Sequence, residues 1–422
     1  MKRSIKNILI IGFALFSMLF GAGNVIFPPY LGLGCGEQWV QGFFFYYMAD
    51  IGLALVCLFA IQRCGGHRNI TGHLGNFASE LLVCVIILCI GPMLGIPRTA
   101  ASTFEMSIMP LFPGFNPVLF SVIFFTVVAL LCVKQNAVVD IIGKILTPLL
   151  IIGLLILIIK GVISPLGEVP HRVLVDNVPL TGISAGYQTM DVLAIVIFGI
   201  LIAKNVKEKG YDKLKDQNLI IGGSGFLAGL ILLFIYLGLS FLGVSASSMF
   251  DLSVDRTVLV TSIVQMLLGK AGMIIFAVVV ALACITTAVA LVSCCADYFS
   301  TLTGGKIKYI WLVILVCLFS TVVSNFGLNQ IISIAAPILE VVYPPTLMII
   351  FLSFFDRFIK NDWVFRLGAL CACLISLLSV LKGFGAPFAF LDVLPMQALG
   401  FGWVLPSLIF AAIGFLFPKK AE

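Results

Sequence analysis

The segment 20–29 combines residue types suited to ligand binding inside an otherwise apolar stretch, and it reads Phe-Gly-Ala-Gly-Asn-Val-Ile-Phe-Pro-Pro. Gly21 and Gly23 lack a Cβ and relax the restriction on the backbone dihedral φ, whereas Pro28 and Pro29 remove two amide donors. Backbone groups freed in this way can bind a polar ligand where they line a cavity in a membrane. Glycine notches with a proline kink are also common in helix packing. Because Gly-x-Gly-Asn is followed so closely by Pro-Pro, the pattern favours an unwound binding segment.

A second candidate is Asp191, an acid within the apolar segment 182–204. A charge at the centre of a membrane helix costs about 2.5–3.5 kcal/mol. We therefore expect Asp191 to face a cavity and to hold an ion, a proton or a substrate amine. The alternative is an acid near the outer end of its helix that reaches towards the headgroups.

Two adjacent threonines mark a third candidate, where the chain reads Ala-Cys-Ile-Thr-Thr over 283–287. The hydroxyls of Thr286 and Thr287 and the carbonyl of Ala283 are hard oxygen ligands that suit a small cation such as sodium. Threonines in apolar helices also commonly bond back to a carbonyl of their own helix. That structural interpretation stays open beside the ion site.

Four further charged residues fall inside apolar segments: Arg98, Glu105, Asp50 and Glu340. Arg98 and Glu105 are seven residues apart, so they share one helix face and are candidates for a charge relay or gate. Glu340 is a further gate candidate. Any of the four could instead be paired for structure.

The elements that position these residues follow from composition. The chain of 422 residues is 61% hydrophobic and 10% charged, with a mean hydropathy of +1.18, whereas soluble domains are about 45–50% apolar and about 25% charged. A membrane span needs about 20 apolar residues. The sequence therefore predicts an all-α polytopic membrane protein of about twelve spans and no sizeable soluble domain. The predicted spans cover 7–34, 39–62, 79–108, 118–135, 141–160, 182–204, 217–243, 270–300, 309–325, 328–355, 363–381 and 397–418.

The basic residues set the predicted orientation, because cytoplasmic loops are enriched in Lys and Arg. With the N-terminus in the cytoplasm, nineteen basic residues fall on that side and five on the other, while Arg98 lies within a span. Both termini are then cytoplasmic. The start of the chain is interpreted as a retained first span, since no small-x-small cleavage site ends its apolar run.

Several classes of function are disfavoured by the motifs. The net charge is +6, but the basic residues are distributed over many loops. No basic face suited to nucleic acid is therefore expected. The twelve cysteines form no CxxC pair, and the three histidines have no partners at zinc spacing. HExxH and Walker A motifs do not occur in the sequence, and the one GxSxG match (182–186) comes without identified triad partners. We predict neither an enzyme nor a covalent cofactor.

At these residues the chain resembles the bacterial branched-chain amino acid:cation symporter family, over nearly its whole length. Several separated motifs carry the resemblance in the same order along the chain. They are Phe-Gly-Ala-Gly-Asn-Val-Ile-Phe-Pro-Pro (20–29), Gly-Pro-Met-Leu-Gly-Ile-Pro-Arg-Thr-Ala (91–100), Gly-Tyr-Gln-Thr-Met-Asp (186–191), Val-Ser-Asn-Phe-Gly-Leu (323–328) and Pro-Ile-Leu-Glu-Val-Val-Tyr-Pro-Pro (337–345).

The resemblance implies the leucine-transporter fold in a single transmembrane domain over 1–422. Two inverted five-helix repeats would cover about 7–160 and 182–355, and two extra helices would cover about 363–418. Spans 1 and 6 are then repeat partners, and both are expected to be broken.

The same resemblance implies where the substrate would bind. The carboxylate of an amino acid would meet backbone amides around Ala22, Gly23 and Asn24, next to Gly21. Asp191 would lie where a second cation or the substrate amine binds.

The resemblance also implies a sodium site between spans 1 and 8. Its ligands would be carbonyls near Ser17 and Phe20, the carbonyl of Ala283 and the hydroxyls of Thr286 and Thr287. Asp50 and Glu340 depart from the family pattern, in which these positions usually carry uncharged residues. They are interpreted as tuning the substrate range, replacing a cation or pairing with each other.

These expectations combine into a cation-coupled importer of leucine, isoleucine and valine, with sodium as the expected cation, in the bacterial inner membrane. One alternative is a proton-coupled carrier of another small neutral amino acid. An alternative from a different class is a solute channel, which would need a continuous polar lining.

Overall fold

The computed structural model describes residues 2–133 and 147–418, and within them all regular structure is helical. In this described part of the chain, seven helices are long and apolar enough to cross a membrane, and five shorter apolar helices accompany them. Grouped by the segments they occupy, these helices form the twelve predicted spans, and the predicted fold class is confirmed.

Most of the spans agree closely with the predicted ranges. The bounds are Lys2–Leu19 with Ala22–Cys35 (span 1), Trp39–Tyr47, Met48–Gly52 and Leu53–Arg63 (span 2), Asn76–Leu88, Cys89–Met93, Gly95–Thr103 and Phe104–Ile108 (span 3), Pro117–Cys132 (span 4), Thr147–Ile163 (span 5), Val178–Thr189 with Asp191–Glu208 (span 6), Leu214–Ser245 (span 7), Arg256–Leu302 (span 8 with a preceding helix), Tyr309–Ser324 (span 9), Leu328–Ser353 (span 10), Asp362–Gly383 (span 11) and Val404–Ile413 (span 12).

Two boundaries differ clearly from the prediction, and a third region is not described. The helix of span 8 begins at Arg256 rather than at 270, and Gly269 interrupts it with φ 62°. Span 12 was predicted from 397, but Gln397–Leu399 is a separate 3₁₀ turn, because Gly400 (φ 76°) takes the left-handed conformation that ends it. The predicted end of span 4 and start of span 5, at 134–146, lie outside the described residues.

Spans 1 and 6 are each broken, and the unwound part of the segment 20–29 is short. The break in span 1 is confined to Phe20 and Gly21, and Pro28 and Pro29 lie inside the following helix. Within a membrane bundle neighbouring helices can compensate for the two missing proline amides. One extended residue is therefore enough to redirect the chain.

Span 3 has a break that the sequence prediction missed. The residues Cys89–Met93 form a π-helical turn in which Gly91 leaves helical geometry (ψ −123°), and a new helix begins at Gly95. A Cβ at Gly95 would lie 2.0 Å from the carbonyl oxygen of Ile90. Only glycine fits this close approach.

Glycines also allow close packing around span 1. The second half of span 1 packs on span 7, where a Cβ at Gly32 would lie 2.0 Å from the carbonyl oxygen of Ser240 and one at Gly243 would lie 1.8 Å from that of Pro29. This contact fixes one wall of the region around the break.

Candidate functional site

The break in span 1 places Gly21 against span 8. Gly21 is extended (φ −105°, ψ −166°) and precedes the helix that begins at Ala22. A Cβ at Gly21 would lie 3.3 Å from Cγ2 and 3.4 Å from Oγ1 of Thr287. The Phe20 ring stacks on Phe16 and Tyr236, with ring centroids 5.4 and 6.1 Å away. These aromatic contacts hold the backbone at the break in position.

The break in span 6 lies opposite and is made by a single residue. Met190 adopts the left-handed conformation (φ 69°), and the second half of the span starts at Asp191. Gly186, the first residue of the motif 186–191, packs against span 2, since a Cβ there would lie 2.9 Å from the carbonyl oxygen of Tyr46.

A hydrogen bond joins the two broken spans. The side-chain amide of Asn24 donates to Oδ2 of Asp191 over 2.7 Å and also bonds the hydroxyl of Tyr236. Both Asn24 (1% exposed) and Asp191 (4% exposed) are buried. Asn24 and Asp191, which were predicted from separate segments of the sequence, therefore meet in one polar centre. The side chain of Asp191 is buried there and does not extend towards the headgroups.

The predicted sodium ligands also lie together. The hydroxyl oxygens of Ser17 and Thr286 are 3.5 Å apart, and Thr286 donates to the Ala283 carbonyl over 2.8 Å. The bond from Thr286 to the Ala283 carbonyl is the contact within one helix that a purely structural role of this threonine predicts. The buried Thr287 hydroxyl has no hydrogen-bond partner among the described residues.

Arg98 connects the two breaks from span 3. Its Nη1 donates to the carbonyl of Gln188 over 2.5 Å and its Nη2 to that of Thr189 over 3.0 Å. These carbonyls belong to the last turn of the first half of span 6, where the helix dipole favours a positive charge. A Cβ at Gly23 would lie 2.9 Å from Nη2 of Arg98, so this glycine makes room for the guanidinium group.

These parts enclose a cavity whose polar and apolar sides differ in composition. Its free volume is about 30 Å³, enough for one or two water-sized groups. An amino acid requires the surrounding helices to move apart. The polar side is lined by Gly21, Asn24, Arg98, Thr99, Thr189, Asp191 and Thr287, and the apolar side by Met18, Leu19, Ile90, Ala194, Phe198 and Leu291.

The two acids predicted as gate residues lie elsewhere. Glu105 accepts from the amide of Leu328 (2.9 Å) and from the hydroxyl of Thr257 (3.1 Å). It thus joins span 3 to the start of span 10 and to the helix preceding span 8. No ion pair joins Glu105 to Arg98 in the described residues. Glu340 is exposed on span 10.

Asp50 belongs to the polar centre, which the sequence did not indicate. It lies in the π-helical turn Met48–Gly52 and is fully buried. Its Oδ1 accepts from the hydroxyl of Thr189 over 2.8 Å, whereas Glu340 is exposed on span 10. The position of Asp50 within an apolar run was the available signal, but its neighbours depend on how spans 2 and 6 pack.

A helical bundle whose broken spans meet at a buried polar centre is typical of secondary transporters. The model of the family described as "Branched-chain amino acid transport protein" matches residues 4–421, and the chain belongs to this family. It is therefore a transport protein of the branched-chain amino acid family and not an enzyme.

Two relatives illustrate the match. The chain is 34% identical to the Branched-chain amino acid permease BraB of Bacillus subtilis, covering 99% of this chain and 97% of the relative. It is also 34% identical to the Branched-chain amino acid transport system 2 carrier protein of Pseudomonas aeruginosa, covering 95% and 93%.

Solved structures support the fold. A Na⁺-coupled sialic acid symporter in a substrate-bound outward-open state is similar with a TM-score of 0.62 at 13% identity, covering 98% of this chain and 90% of that one. A manganese transporter of Eremococcus coleocola is similar with a TM-score of 0.57 at 13% identity, covering 97% and 95%. At such identity the similarity concerns the fold alone.

Proposed function

We propose that the protein imports leucine, isoleucine and valine by symport with sodium through alternating access. The observation that carries the coupling is the Thr287 hydroxyl, which is buried, lacks a partner among the described residues and faces the extended backbone of Gly21. A cation bound there would join spans 1 and 8. The binding energy of cation and substrate would then stabilise a closed state over an open one.

The substrate roles follow from the two breaks. The carboxylate of the amino acid binds the amides at the start of the second half of span 1, around Ala22, Gly23 and Asn24, next to Gly21. A helix N-terminus favours an anion because its amides are free and its dipole is positive. The substrate amine binds Asp191, and the aliphatic side chain packs on the apolar side of the cavity.

The cation roles follow from the neighbouring oxygens. Sodium takes the carbonyls near Ser17 and Phe20, the Ala283 carbonyl and the hydroxyls of Thr286 and Thr287. The contact between Ser17 and Thr286 supports this set, because it brings oxygens of spans 1 and 8 together. Glu105 and Glu340 remain candidates for gating, acting separately from Arg98.

The orientation and location belong to the same proposal. The bias of nineteen basic residues to five supports a bacterial inner membrane protein with both termini in the cytoplasm. Repeats over about 7–160 and 182–355 agree with two broken spans five apart, at residues 20–21 and 190. A channel is disfavoured because the polar residues converge on one closed centre.

The test is uptake of radiolabelled leucine into proteoliposomes under a sodium gradient, a proton gradient or neither. Wild type is compared with Thr287→Ala and with Thr126→Ala, which removes an exposed hydroxyl of span 4 that bonds its own helix. We expect sodium-driven accumulation in wild type and in the Thr126 variant, and its loss in the Thr287 variant.

Accumulation driven by protons alone and indifferent to Thr287 would refute sodium coupling at this site while keeping a carrier. Equilibration without accumulation would indicate a channel. If leucine does not accumulate under any gradient, the substrate assignment is wrong.

A further inference from the structure

The charges at the polar centre do not balance. Asp50 (0% exposed), Asp191 (4%) and Arg98 (5%) are all buried within the spans. Two carboxylates and one guanidinium leave one uncompensated negative charge in a region where an unbalanced charge is costly. Without a bound cation or substrate, the centre therefore requires one more positive charge.

Arg98 does not meet either carboxylate. Its two terminal nitrogens donate to the carbonyls of Gln188 and Thr189, and no ion pair from Arg98 to an acid occurs in the described parts of the chain. It attracts the two acids through space but supplies them with no hydrogen bond. Their acceptor oxygens must find donors elsewhere.

The other donors near Asp50 are neutral hydroxyl groups. Thr189 lies at hydrogen-bond distance from Asp50 (2.8 Å) and from the Gly186 carbonyl (2.6 Å), yet its single hydroxyl proton can serve only one acceptor at a time. Asp50 Oδ2 has no partner among the described residues. Asp191 receives one bond, from Asn24.

A further observation points to a proton between the acids. The buried Tyr46 hydroxyl lies beside Asp50 and can donate to it, but it adds no positive charge. Asp50 and Asp191 also lie close enough to hydrogen-bond each other once one of them carries a proton. A buried carboxylate oxygen without a donor is costly, and one shared proton supplies that donor.

We propose that Asp50 and Asp191 form a binding site for one proton, which the ammonium group of the arriving substrate displaces. Without substrate, the proton neutralises the centre and forms an O–H···O bond between the two carboxyl groups. With substrate, the ammonium group donates to Asp191, the proposed sodium ion offsets the substrate carboxylate, and the proton leaves to solvent. The displacement step, though not the proton site itself, rests on the proposed function.

The charged and titratable groups that face Asp50 are Tyr46 and Tyr47 of its own span, Arg98, Asp191, Tyr236 and Tyr343. Of these only Asp191 is a second acid that can share a proton with Asp50. The other five are four tyrosines and one arginine. The site is therefore lost when Asp50 alone is made amide.

The site itself is tested by infrared difference spectroscopy of the substrate-free protein in lipid. Wild type minus Asp50→Asn should show the C=O band of one protonated carboxyl group, shifted in heavy water. Glu208→Gln, which changes an exposed acid at the end of span 6, should leave that band in place. If Asp50→Asn does not fold, as judged by its thermal unfolding, Asp50→Ser tests the same loss of the carboxyl band.

The displacement is tested by calorimetry of leucine binding in sodium buffers of different ionisation enthalpy. Wild type should release up to one proton per leucine bound, and Asp50→Asn should release almost none. A carboxyl band that persists in the Asp50 variants overturns the proton site. Leucine binding without proton release overturns the displacement step. If leucine does not bind the wild-type protein, the proposed function is refuted, but the infrared result still decides whether the proton site exists.

Discussion

At the scale of the residue, Arg98 shows that geometry as well as charge matters at this centre. Its planar guanidinium group reaches two carbonyls of span 6 at once, 2.5 and 3.0 Å away, and passes beside Gly23. A lysine keeps the charge but has a compact ammonium group and cannot reproduce this fork.

We therefore predict that Arg98→Lys lowers leucine uptake about tenfold or more, because one charged hydrogen bond is worth about 1.5–3 kcal/mol. Initial uptake rates in proteoliposomes measure the effect. Arg63→Lys, at an exposed helix end, is the matched control and should stay near wild type. Equal rates in the two variants would show that only the charge of Arg98 matters.

Single polar residues in apolar spans were sufficient to predict much of this centre. Asn24, Asp191 and Thr287 stand out because a polar group is expensive in lipid unless it has a partner or a role. Asp50 and Tyr236 could not be placed in the same way. Their contacts cross between spans 2, 6 and 7, and no local spacing in the sequence encodes that packing.

At the scale of the element, the break in span 6 depends on one strained residue. Met190 has φ 69°, and a left-handed conformation costs an L-residue about 1–2 kcal/mol. The two half-helices on either side must hold it there. A β-branched side chain fits this conformation less well still.

We predict that Met190→Ile destabilises the folded protein by about 1–2 kcal/mol, whereas Met190→Gly relieves the backbone. Thermal unfolding in detergent measures both variants. Met266→Ile, at an exposed position in the helix before Gly269, provides the control and should shift the midpoint little. An isoleucine tolerated equally at both positions would contradict the strain at Met190.

The break in span 3 gives a second prediction at this scale. Gly95→Ala places a methyl group against the backbone carbonyl of Ile90, 2.0 Å away, where no side chain can yield. We expect a loss of folded protein and of uptake, measured by size-exclusion chromatography and transport.

Gly199→Ala is the matched control for that change, since all contacts of its added methyl are ordinary at 3.7 Å. In the middle of a helix, alanine is favoured over glycine by about 0.5–1 kcal/mol. The Gly199 variant should be as stable as wild type or more so. If Gly95→Ala also folds and transports, the close approach does not determine the turn in span 3.

Apolar length and basic loops predicted the spans, but not how each is interrupted. Gly21 was found because glycine, asparagine and proline cluster around it, although the prolines proved to be helical. Met190 carries no glycine signal at all. Gly91, Pro92 and Gly95 formed a visible cluster in span 3, but only packing shows that they turn the chain.

At the scale of the whole molecule, two tyrosines join the halves of span 1 to opposite ends of the bundle. The side chain of Asn7, in the first half, donates to the Tyr211 hydroxyl over 2.8 Å. In the second half, the Tyr30 hydroxyl donates to the Leu252 carbonyl over 2.7 Å. The break at residues 20–21 separates these contacts, so each closes a different side of the central cavity.

We predict that Tyr211→Phe favours opening to the proposed cytoplasmic side and that Tyr30→Phe favours opening to the other side. Each substitution removes one hydrogen bond but keeps its ring, and a bond worth about 1 kcal/mol changes the population ratio about fivefold.

The reporter is Asn205→Cys, which lies beside the narrow cavity between Ile11 and Met18 of span 1 and Leu201 of span 6. Its labelling by an impermeant thiol reagent in inside-out vesicles, corrected for the parent cysteines, should accelerate with Tyr211→Phe and slow with Tyr30→Phe. The two contacts lie on opposite sides of one break, so the two substitutions should change the labelling rate in opposite directions. Equal changes in the labelling rate would mean that the two halves of span 1 do not open opposite sides of the cavity.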